Sequence, residues 1–443
     1  MKLSQRLTKA TAQRSRWVIS MASATILLAA AMGDASAQSE SERIEQLERK
    51  LDQSLKMIDE LAAKIRKLEE GDAAHGPIPS ATTQSDRPAA VQNAESVAGD
   101  QPATNTATIA IPGGLAAGTP LRGFADVGAG WASQSTRRGV ALGSMDFYFT
   151  PELGDSVRAL IELVFEFDET GTLTTDLERL QFGYAFNDLA TVWMGRFHTP
   201  YGYWNEAFHH GQQISTSLRR PRFLDFEDKG GILPAHTVGI WTKGRLSIGA
   251  GRLAYDVYAG NSPSIVKNEL NPNNIGSTNH SAIVGLNLGY LLSGTLEGLK
   301  LGVHGFSSDV RDDAAPANTT MLKAWGGYFV YDTDEWEHIG EYYRFNNKDL
   351  SGGSGTHDSW AGFLQAGMKL GRWTPYGRLE RAVLDQTDNY FREQLSGRSY
   401  ARQALGLNYE LSPKAALKLE LSQTRFDDSP DANEARFQYA IRF

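Results

Sequence analysis

Cysteine is absent from this chain of 443 residues, and the chain contains no long apolar stretch after residue 38. Without cysteine there can be no disulfide framework, no thiolate metal site and no cysteine nucleophile. Beyond residue 38, no apolar run reaches the length of about 20 residues that a membrane-spanning helix needs. Positive charge is also in deficit, since the formal net charge is −8, and a protein without a basic face is a poor partner for nucleic acid.

The first 37 residues carry the features of a secretory signal peptide. A positively charged leader precedes the apolar stretch 18–31, and Ala35-Ser36-Ala37 offers a small-x-small cleavage site. We predict that residues 1–37 are removed and that the mature chain starts at Gln38. Removal of five basic residues and one aspartate leaves a net charge of about −12. An uncleaved inner-membrane anchor is the alternative, but the apolar stretch is short for one.

Residues 38–70 contain a heptad pattern that predicts a coiled coil. Seven of the eight a and d positions over four heptads are apolar, which is typical of a coiled-coil seam. These core residues are Ile44, Leu47, Leu51, Ile58, Leu61, Ile65 and Leu68. Isoleucine at a with leucine at d favours two strands, but apolar residues at neighbouring positions widen the seam, and we predict a parallel trimer. A single helix packed on its own barrel is the alternative. Residues 71–120 are rich in small and polar residues and predict a flexible linker.

From residue 121 to residue 443 the chain consists of short segments in which apolar and polar residues alternate. In the stretch 157–168, Val157 and Ile161 fall on one face of a strand, and Arg158 and Glu162 fall on the other. The last nine residues alternate in the same way and finish on Phe443, which resembles the terminal strand of bacterial outer-membrane barrels. An edge strand of a soluble sandwich is the alternative for that segment. The segments lie near 121–132, 140–151, 156–168, 176–186, 190–198, 236–244, 248–260, 280–291, 298–308, 320–332, 335–346, 358–370, 373–384, 398–410, 414–426 and 434–443. They predict an all-β transmembrane barrel of about 16 antiparallel strands over residues 121–443.

The longest connection, 199–235, follows the fifth segment and would be the third external loop of such a barrel. Loops longer than about 15 residues without regular structure usually carry function. Arginines placed near carboxylates would set up a transverse field that selects permeating ions in a narrow passage. The predicted constriction and selectivity residues are Arg196, Tyr201, Tyr203, Trp204, His209, His210, Arg219, Arg220, Arg222, Asp225, Glu227 and Asp228. The alternative is that these charges pair with one another and fix the loop to the wall.

Arginine also recurs on faces that the alternation assigns to the barrel interior. These residues are Arg122, Arg158, Arg179, Arg252, Arg378, Arg402, Arg436 and Arg442, and acidic residues on the same faces nearly match them in number. Arginine suits bidentate capture of carboxylate or phosphate groups, but it equally suits ion pairs across the wall, so the pattern only leans towards anions.

We predict no cofactor and no metal site, because adjacent His209 and His210 lack a third ligand at a defined spacing.

The order of signal peptide, heptad region, linker and alternating segments resembles the phosphate-selective porin family and its coiled-coil-bearing trimeric relatives. The motif Gly195-Arg-Phe-His-Thr-Pro-Tyr-Gly202, which enters the long connection, is the local part of this resemblance. The resemblance implies a passive homotrimeric porin of the bacterial outer membrane, with its coiled coil in the periplasm and its third loop as the pore constriction. Membrane lipid, copies of the same chain and small solutes would be its partners.

The same resemblance leaves the solute open. Family members tuned to phosphate add lysines near the constriction, whereas the long connection here contains one lysine, Lys229. Phosphate, small dicarboxylates and other organic anions therefore all stay candidate solutes.

Two other functions fit parts of the sequence. One combination could be interpreted as a hydrolytic site, namely His209 and His210 with Ser215, Ser217, Asp225 and Asp228. Its spacing is not diagnostic, and we predict that the protein is not an enzyme. A structural or adhesive outer-membrane anchor, with the coiled coil as a periplasmic tether, is the main alternative. A barrel without conductance would favour the anchor.

Overall fold

A computed structural model describes residues 121–135, 138–167, 171–209, 213–272 and 281–443. The predicted signal peptide, coiled coil and linker lie outside the described residues, as does His210. The described part is mainly β, because a period of two gives each strand one apolar and one polar face. The strands are β1 (Leu121–Ala132), β2 (Gly139–Phe149), β3 (Val157–Phe167), β4 (Leu173–Asn187), β5 (Ala190–His198), β6 (His236–Ile248), β7 (Gly251–Asn261), β8 (Ser264–Val266), β9 (Glu269–Asn271), β10 (Ala282–Leu292), β11 (Leu299–Asp312), β12 (Thr319–Asp332), β13 (Trp336–Asp349), β14 (Thr356–Met368), β15 (Trp373–Val383), β16 (Tyr400–Ser412), β17 (Ala415–Phe426) and β18 (Ala432–Arg442).

Sixteen of these strands form one closed antiparallel wall. Successive wall strands pair with each other, β7 pairs directly with β10, and β1 pairs with β18 from Phe124↔Arg442 to Ala132↔Glu434. Closure removes the free edges that an open sheet would expose. The predicted barrel is therefore confirmed, and each of the 16 alternating segments overlaps one wall strand.

The wall turns apolar side chains outwards and buries charged ones. On β17, Leu419 and Leu421 are 47% and 54% exposed, whereas Lys418 and Glu420 are 1% and 2% exposed. A soluble protein with a dry core shows the opposite arrangement. An apolar outer face with a polar interior is typical of barrels that contact lipid.

The connection between β7 and β10 contains a hairpin that the sequence pattern does not predict. Its strands, β8 and β9, have 3 residues each, which is too short for a period of two to be recognised. Lys267 and Asn268 turn the chain with φ angles of 52° and 68°. Ile265 and Leu270 are buried, and β8 pairs in parallel with the end of β11. This connection is therefore a packed structure and not a plain loop.

Helical structure in the described ranges is short. It comprises α1 (Trp204–Ala207), α2 (Asn389–Arg392) and the 3-10 turns Arg222–Leu224, Glu227–Lys229 and Gly294–Leu296. In the part of the chain that the structure describes, no helix is long and apolar enough to cross a membrane.

The connections lie at the two ends of the barrel. An even number of wall strands places the start of β1 and the end of β18 at the same end, together with short connections such as 188–189 and 413–414. The connection 199–235 between β5 and β6, which we call loop 3, belongs to the other end.

Candidate functional site

Loop 3 leaves the wall at β5 and returns at the neighbouring strand β6, and its two ends are bonded to each other. The Thr199 amide donates to the Ala235 carbonyl at 2.8 Å. The side-chain amide of Asn205, in α1, donates to the carbonyls of Thr199 and Ala235, each at 3.0 Å. We call the place where Thr199 and Ala235 meet the neck of loop 3. Asn205 is fully buried there, and a buried polar group without a hydrogen bond would be costly, so these bonds stabilise the neck.

Loop 3 contacts the opposite side of the barrel both near its start and beyond its middle. The Trp204 amide donates to Glu341 Oε1 of β13 at 2.6 Å, and the Arg222 amide donates to Glu380 Oε2 of β15 at 2.7 Å. Both carboxylates are buried. In the wall order β15 lies diametrically opposite β5. Loop 3 therefore crosses the space that the wall encloses, and its amide groups bind acidic side chains through charge-assisted hydrogen bonds.

Two wall cations bind carbonyl groups of the same loop. Arg378 of β15 donates to the carbonyls of Arg219 at 2.6 Å and Arg220 at 3.2 Å. Lys418 of β17 donates to the Ser215 carbonyl. Arg378 and Lys418 are both 1% exposed. For these two wall residues the charge holds loop 3 in place and does not face an open passage.

The predicted aromatic residues at the start of loop 3 pack inside the barrel. Tyr201 and Trp204 are each 1% exposed. The Tyr201 ring centroid lies 5.6 Å from that of Phe306, and the Trp204 centroid lies 5.6 Å from that of Phe363. Burial raises the pKa of Tyr201 and Tyr203 well above the ordinary value, so both hydroxyl groups stay neutral. These residues supply the packing that seats the loop against the wall.

The three predicted arginines of loop 3 lie close together in the chain, and their side chains are half-buried. Arg220 lies 3.8 Å over the Phe226 ring and donates to Asn205 Oδ1 at 3.0 Å, and Arg222 lies 5.0 Å from the ring centroid of Phe426. Among the described side chains, no carboxylate forms an ion pair with Arg219, Arg220 or Arg222. Burial lowers the pKa of Arg219 and Arg220. These guanidinium groups are therefore partly desolvated, and no carboxylate among the described side chains forms an ion pair with them.

Of the remaining predicted charges, Asp225 lies near Arg219 and Arg220 and favours their charged forms, whereas Arg196 has other partners. Arg196 of β5 pairs with Asp176 at 3.0 Å and Glu178 at 3.5 Å, both on β4. Asp225 is half-buried at the end of one 3-10 turn, and Asp228 lies in the next one. Arg196 therefore has its own counter-charges on the neighbouring strand.

A buried histidine cluster lies at the neck of loop 3, and only its member His209 belongs to the predicted constriction residues. The rings of His198 and His209 stack with centroids 3.5 Å apart, and His209 Nε2 lies 2.8 Å from His236 Nε2. His236 Nδ1 lies 3.0 Å from Glu227 Oε2. His198 and His236 are cross-strand partners in the β5–β6 ladder. Their places at the two ends of the long connection were a signal that could have found them.

The two serines of the alternative hydrolytic interpretation bond to the backbone. Ser215 Oγ donates to the Ser217 carbonyl at 2.9 Å, and Ser217 Oγ donates to the Arg219 carbonyl at 3.2 Å. Both hydroxyl groups thus fix the fold of loop 3.

A second group of residues, outside loop 3, has the spatial arrangement of a serine hydrolase triad. His357 lies 3.0 Å from Ser354 Oγ and 2.8 Å from Asp385 Oδ2. However, Ser354 Oγ also lies 2.9 Å from Asp349 Oδ2. A carboxylate is the stronger acceptor for a hydroxyl proton, so this serine is not activated by His357 and the network fixes the loops instead.

No model of a known protein family matches the chain, and no curated protein matches it. Solved structures do match. OmpT of Vibrio cholerae with its loop L8 deleted, described as an outer membrane protein, gives a TM-score of 0.50 at 10% identity over 74% of this chain and 99% of that chain. The anion-selective porin from Comamonas acidovorans gives a TM-score of 0.50 at 13% identity over 74% and 99%. At these identities the likeness shows the fold alone, which is the closed barrel of outer-membrane porins.

Proposed function

We propose that this protein is an outer-membrane porin, a passive channel for small hydrophilic solutes with its third extracellular loop (199–235) as the pore constriction. The observation that carries the proposal is that loop 3 crosses a closed 16-strand barrel and is bonded to the opposite wall. Exposed leucines on the outer face suit contact with lipid, and buried charges on the inner face suit a polar passage. The protein would act as a channel and not as an enzyme.

The proposal includes a homotrimer in the bacterial outer membrane, with the coiled coil of residues 38–70 in the periplasm. Both ends of the wall lie at the end of the barrel that carries short connections. In transmembrane barrels short turns face the periplasm and longer loops face outwards. The linker 71–120 would therefore start on the periplasmic side, where the heptad region could associate with its copies.

The loop 3 arginines support a lean towards anions. Their guanidinium groups carry charge in a partly buried setting without an ion-paired carboxylate among the described side chains. Electrostatic attraction is stronger in such a setting than in open water. An anion that passes loop 3 would be attracted to these guanidinium groups, whereas a cation would be repelled.

The chemistry of these arginines suits more than one class of anion. Planar guanidinium groups bind carboxylate and phosphate alike, and the loop offers one lysine, Lys229, which pairs with Glu166 at 2.7 Å. We therefore propose small organic acids and phosphate together as solutes, following the resemblance to the phosphate-selective family and its relatives.

The test is the zero-current potential of the purified protein in planar lipid bilayers under a salt gradient. Arg219, Arg220 and Arg222 are changed together to glutamine, which retains hydrogen-bonding capacity but removes the charge. The matched control changes three arginines elsewhere with side chains 49%, 52% and 66% exposed. These control residues are Arg392, Arg398 and Arg425. We expect the wild-type channel to prefer anions, the loop 3 variant to lose most of that preference, and the control to retain it.

Other outcomes assign the function differently. Conductance with equal selectivity in all three proteins would move the filter from loop 3 to the wall. Absence of conductance in the wild type would contradict the porin proposal and favour the alternative of an outer-membrane anchor with a periplasmic tether.

A further inference from the structure

The histidine cluster at the neck of loop 3 brings three ligand atoms together. One ring nitrogen from each of His198, His209 and His236 lies within 4.8 Å of the other two. Glu178 Oε2 of β4 joins them at 2.5 Å from His236 Nε2. In a tetrahedral zinc site with bonds of about 2.0–2.1 Å, neighbouring ligand atoms are roughly 3.4 Å apart. The Nε2 atoms of His209 and His236, which are 2.8 Å apart, lie closer than this value, so a bound ion would move the two rings slightly apart.

The outer hydrogen bonds of two histidines orient their Nε2 atoms towards one another. His209 Nδ1 lies 3.1 Å from the Asn205 carbonyl, and a carbonyl can only accept, so this nitrogen carries a proton and donates. His236 Nδ1 likewise donates to Glu227 Oε2 at 3.0 Å. A carbonyl or carboxylate on the far nitrogen is the usual support of a metal-binding histidine, because it fixes the ring and raises its basicity.

This arrangement leaves acceptors facing one another. With Nδ1 protonated, a neutral imidazole presents a lone pair at Nε2, and the Nε2 atoms of His209 and His236 are 2.8 Å apart. The Glu178 carboxylate adds a third acceptor beside them. Such lone pairs repel unless a cation lies between them, either a proton on one ring or a metal ion.

Charge and access favour a cation at this point. Glu162, Glu178 and Glu227 are all buried around the cluster, and Arg179 and Arg196 are the arginines paired with the first two. Arg220 also lies near Glu178 and Glu227. The buried carboxylates next to the histidines would nevertheless attract a positive ion. A cavity of about 270 Å³ is lined by Glu178, Glu227 and His236 together with residues of β9, and it offers an ion a route to the cluster.

We propose that His198, His209 and His236 form a binding site for a divalent transition-metal ion of the zinc class, with the Glu178 carboxylate beside His236 as the fourth ligand that would move onto the ion. Imidazole with one carboxylate is a ligand set that suits zinc and its neighbours in the first transition row. The bound ion would join loop 3, through His209, to strands β4, β5 and β6. The site goes beyond the channel function and can be tested without it.

The experiment titrates Co²⁺, followed by competition with Zn²⁺, into tag-free full-length protein in detergent after removal of metals by a chelator. Visible absorption reports tetrahedral Co²⁺, and dialysis gives its stoichiometry. We expect one ion per chain in the wild type, with loss of the site in His209→Gln and His236→Gln. Glu227→Gln removes only the outer support and should weaken binding by about 10- to 100-fold. His338→Gln, which changes a histidine of β13 outside the cluster, is the matched control and should bind as the wild type does.

Two results would overturn the site. The first is that the wild type binds no stoichiometric ion, in which case a proton shared within the cluster accounts for its geometry. The second is that His209→Gln and His236→Gln bind as well as the His338→Gln control. Because His209 lies on loop 3 and His236 on β6, failure of one variant to fold leaves the other to decide.

Discussion

Arg378 shows how the interior accommodates a buried charge. Its guanidinium pairs with Glu380 at 2.9 Å, and both side chains are 0% exposed. A buried ion pair is stable only when further hydrogen bonds satisfy its remaining donors and acceptors. Loop 3 supplies these bonds, since its carbonyls accept from Arg378 and the Arg222 amide donates to Glu380. The ion pair and the loop therefore stabilise each other.

Changing Arg378 to alanine should release loop 3 and destabilise the barrel. The substitution leaves the Glu380 carboxylate buried without its main partner, which typically costs about 3–5 kcal/mol. The free energy of unfolding, measured by urea denaturation in lipid vesicles, should fall by this amount. Trypsin should at the same time cleave after Arg222 more readily than in the wild type.

Arg381→Ala is the control on the same strand. Arg381 is 40% exposed and pairs with Asp427 at 3.4 Å, and an exposed pair of this kind contributes about 0–1 kcal/mol. Equal losses in the two variants would show that Arg378 does not anchor the loop.

The sequence predicts the faces of such residues but not their partners. Alternation assigns Arg378 and Arg402 to the interior, and the structure buries both. Whether a guanidinium faces a passage or a loop carbonyl depends on the path of loop 3. The alternation of residues along a strand does not predict that path. For the same reason Arg378 and Arg219 look alike in the sequence, although one is ion-paired and the other has no ion-paired carboxylate among the described side chains.

At the scale of elements, loop 3 depends on a tight turn at Gly202. This glycine has a φ of +62°, and a Cβ atom there would overlap Glu341 Oε2 and the Tyr343 hydroxyl. Glu341 is the carboxylate that accepts from the Trp204 amide. The absence of a side chain thus lets the loop backbone approach the wall closely enough to bond to it.

Gly202→Ala should therefore disturb the seat of loop 3 more than backbone strain alone would. A left-handed alanine costs roughly 1–2 kcal/mol, and overpacking adds about 1–3 kcal/mol. Gly371 has a nearly equal φ of +63°, and a Cβ atom added there would meet open space. Gly371→Ala therefore measures the cost of backbone strain without overpacking. We expect the larger loss of unfolding free energy, and new tryptic cleavage in loop 3, only for Gly202→Ala. Identical behaviour of the two variants would contradict this role of Gly202.

The elements differ in how far the sequence predicts them. The wall strands have at least 9 residues each, and over that length a period of two is distinctive. The hairpin β8–β9 has too few residues per strand to show it. The histidine cluster at the neck of loop 3 could not be predicted for another reason. His198 and His236 are far apart in the sequence and meet because β5 and β6 are neighbours in the wall.

On the largest scale, the described part of the molecule is a closed barrel with loop 3 across its interior. The wall alone would enclose a wide space, because barrels of about 16 strands leave an aqueous channel. Loop 3 occupies part of that space and bonds to wall strands on the far side. We propose that an open passage persists beside the loop and that the loop sets its width.

Single-channel conductance in planar bilayers tests this claim most directly, for the wild type and for a variant in which residues 200–234 are replaced by a short turn. The replacement is geometrically feasible because Thr199 and Ala235 are already hydrogen-bonded at 2.8 Å, and about four residues close a hairpin. We predict that the wild type conducts and that the variant, once its barrel is verified by circular dichroism, conducts several times more with little ion preference. Equal conductance in the two proteins, or none in either, would contradict the account.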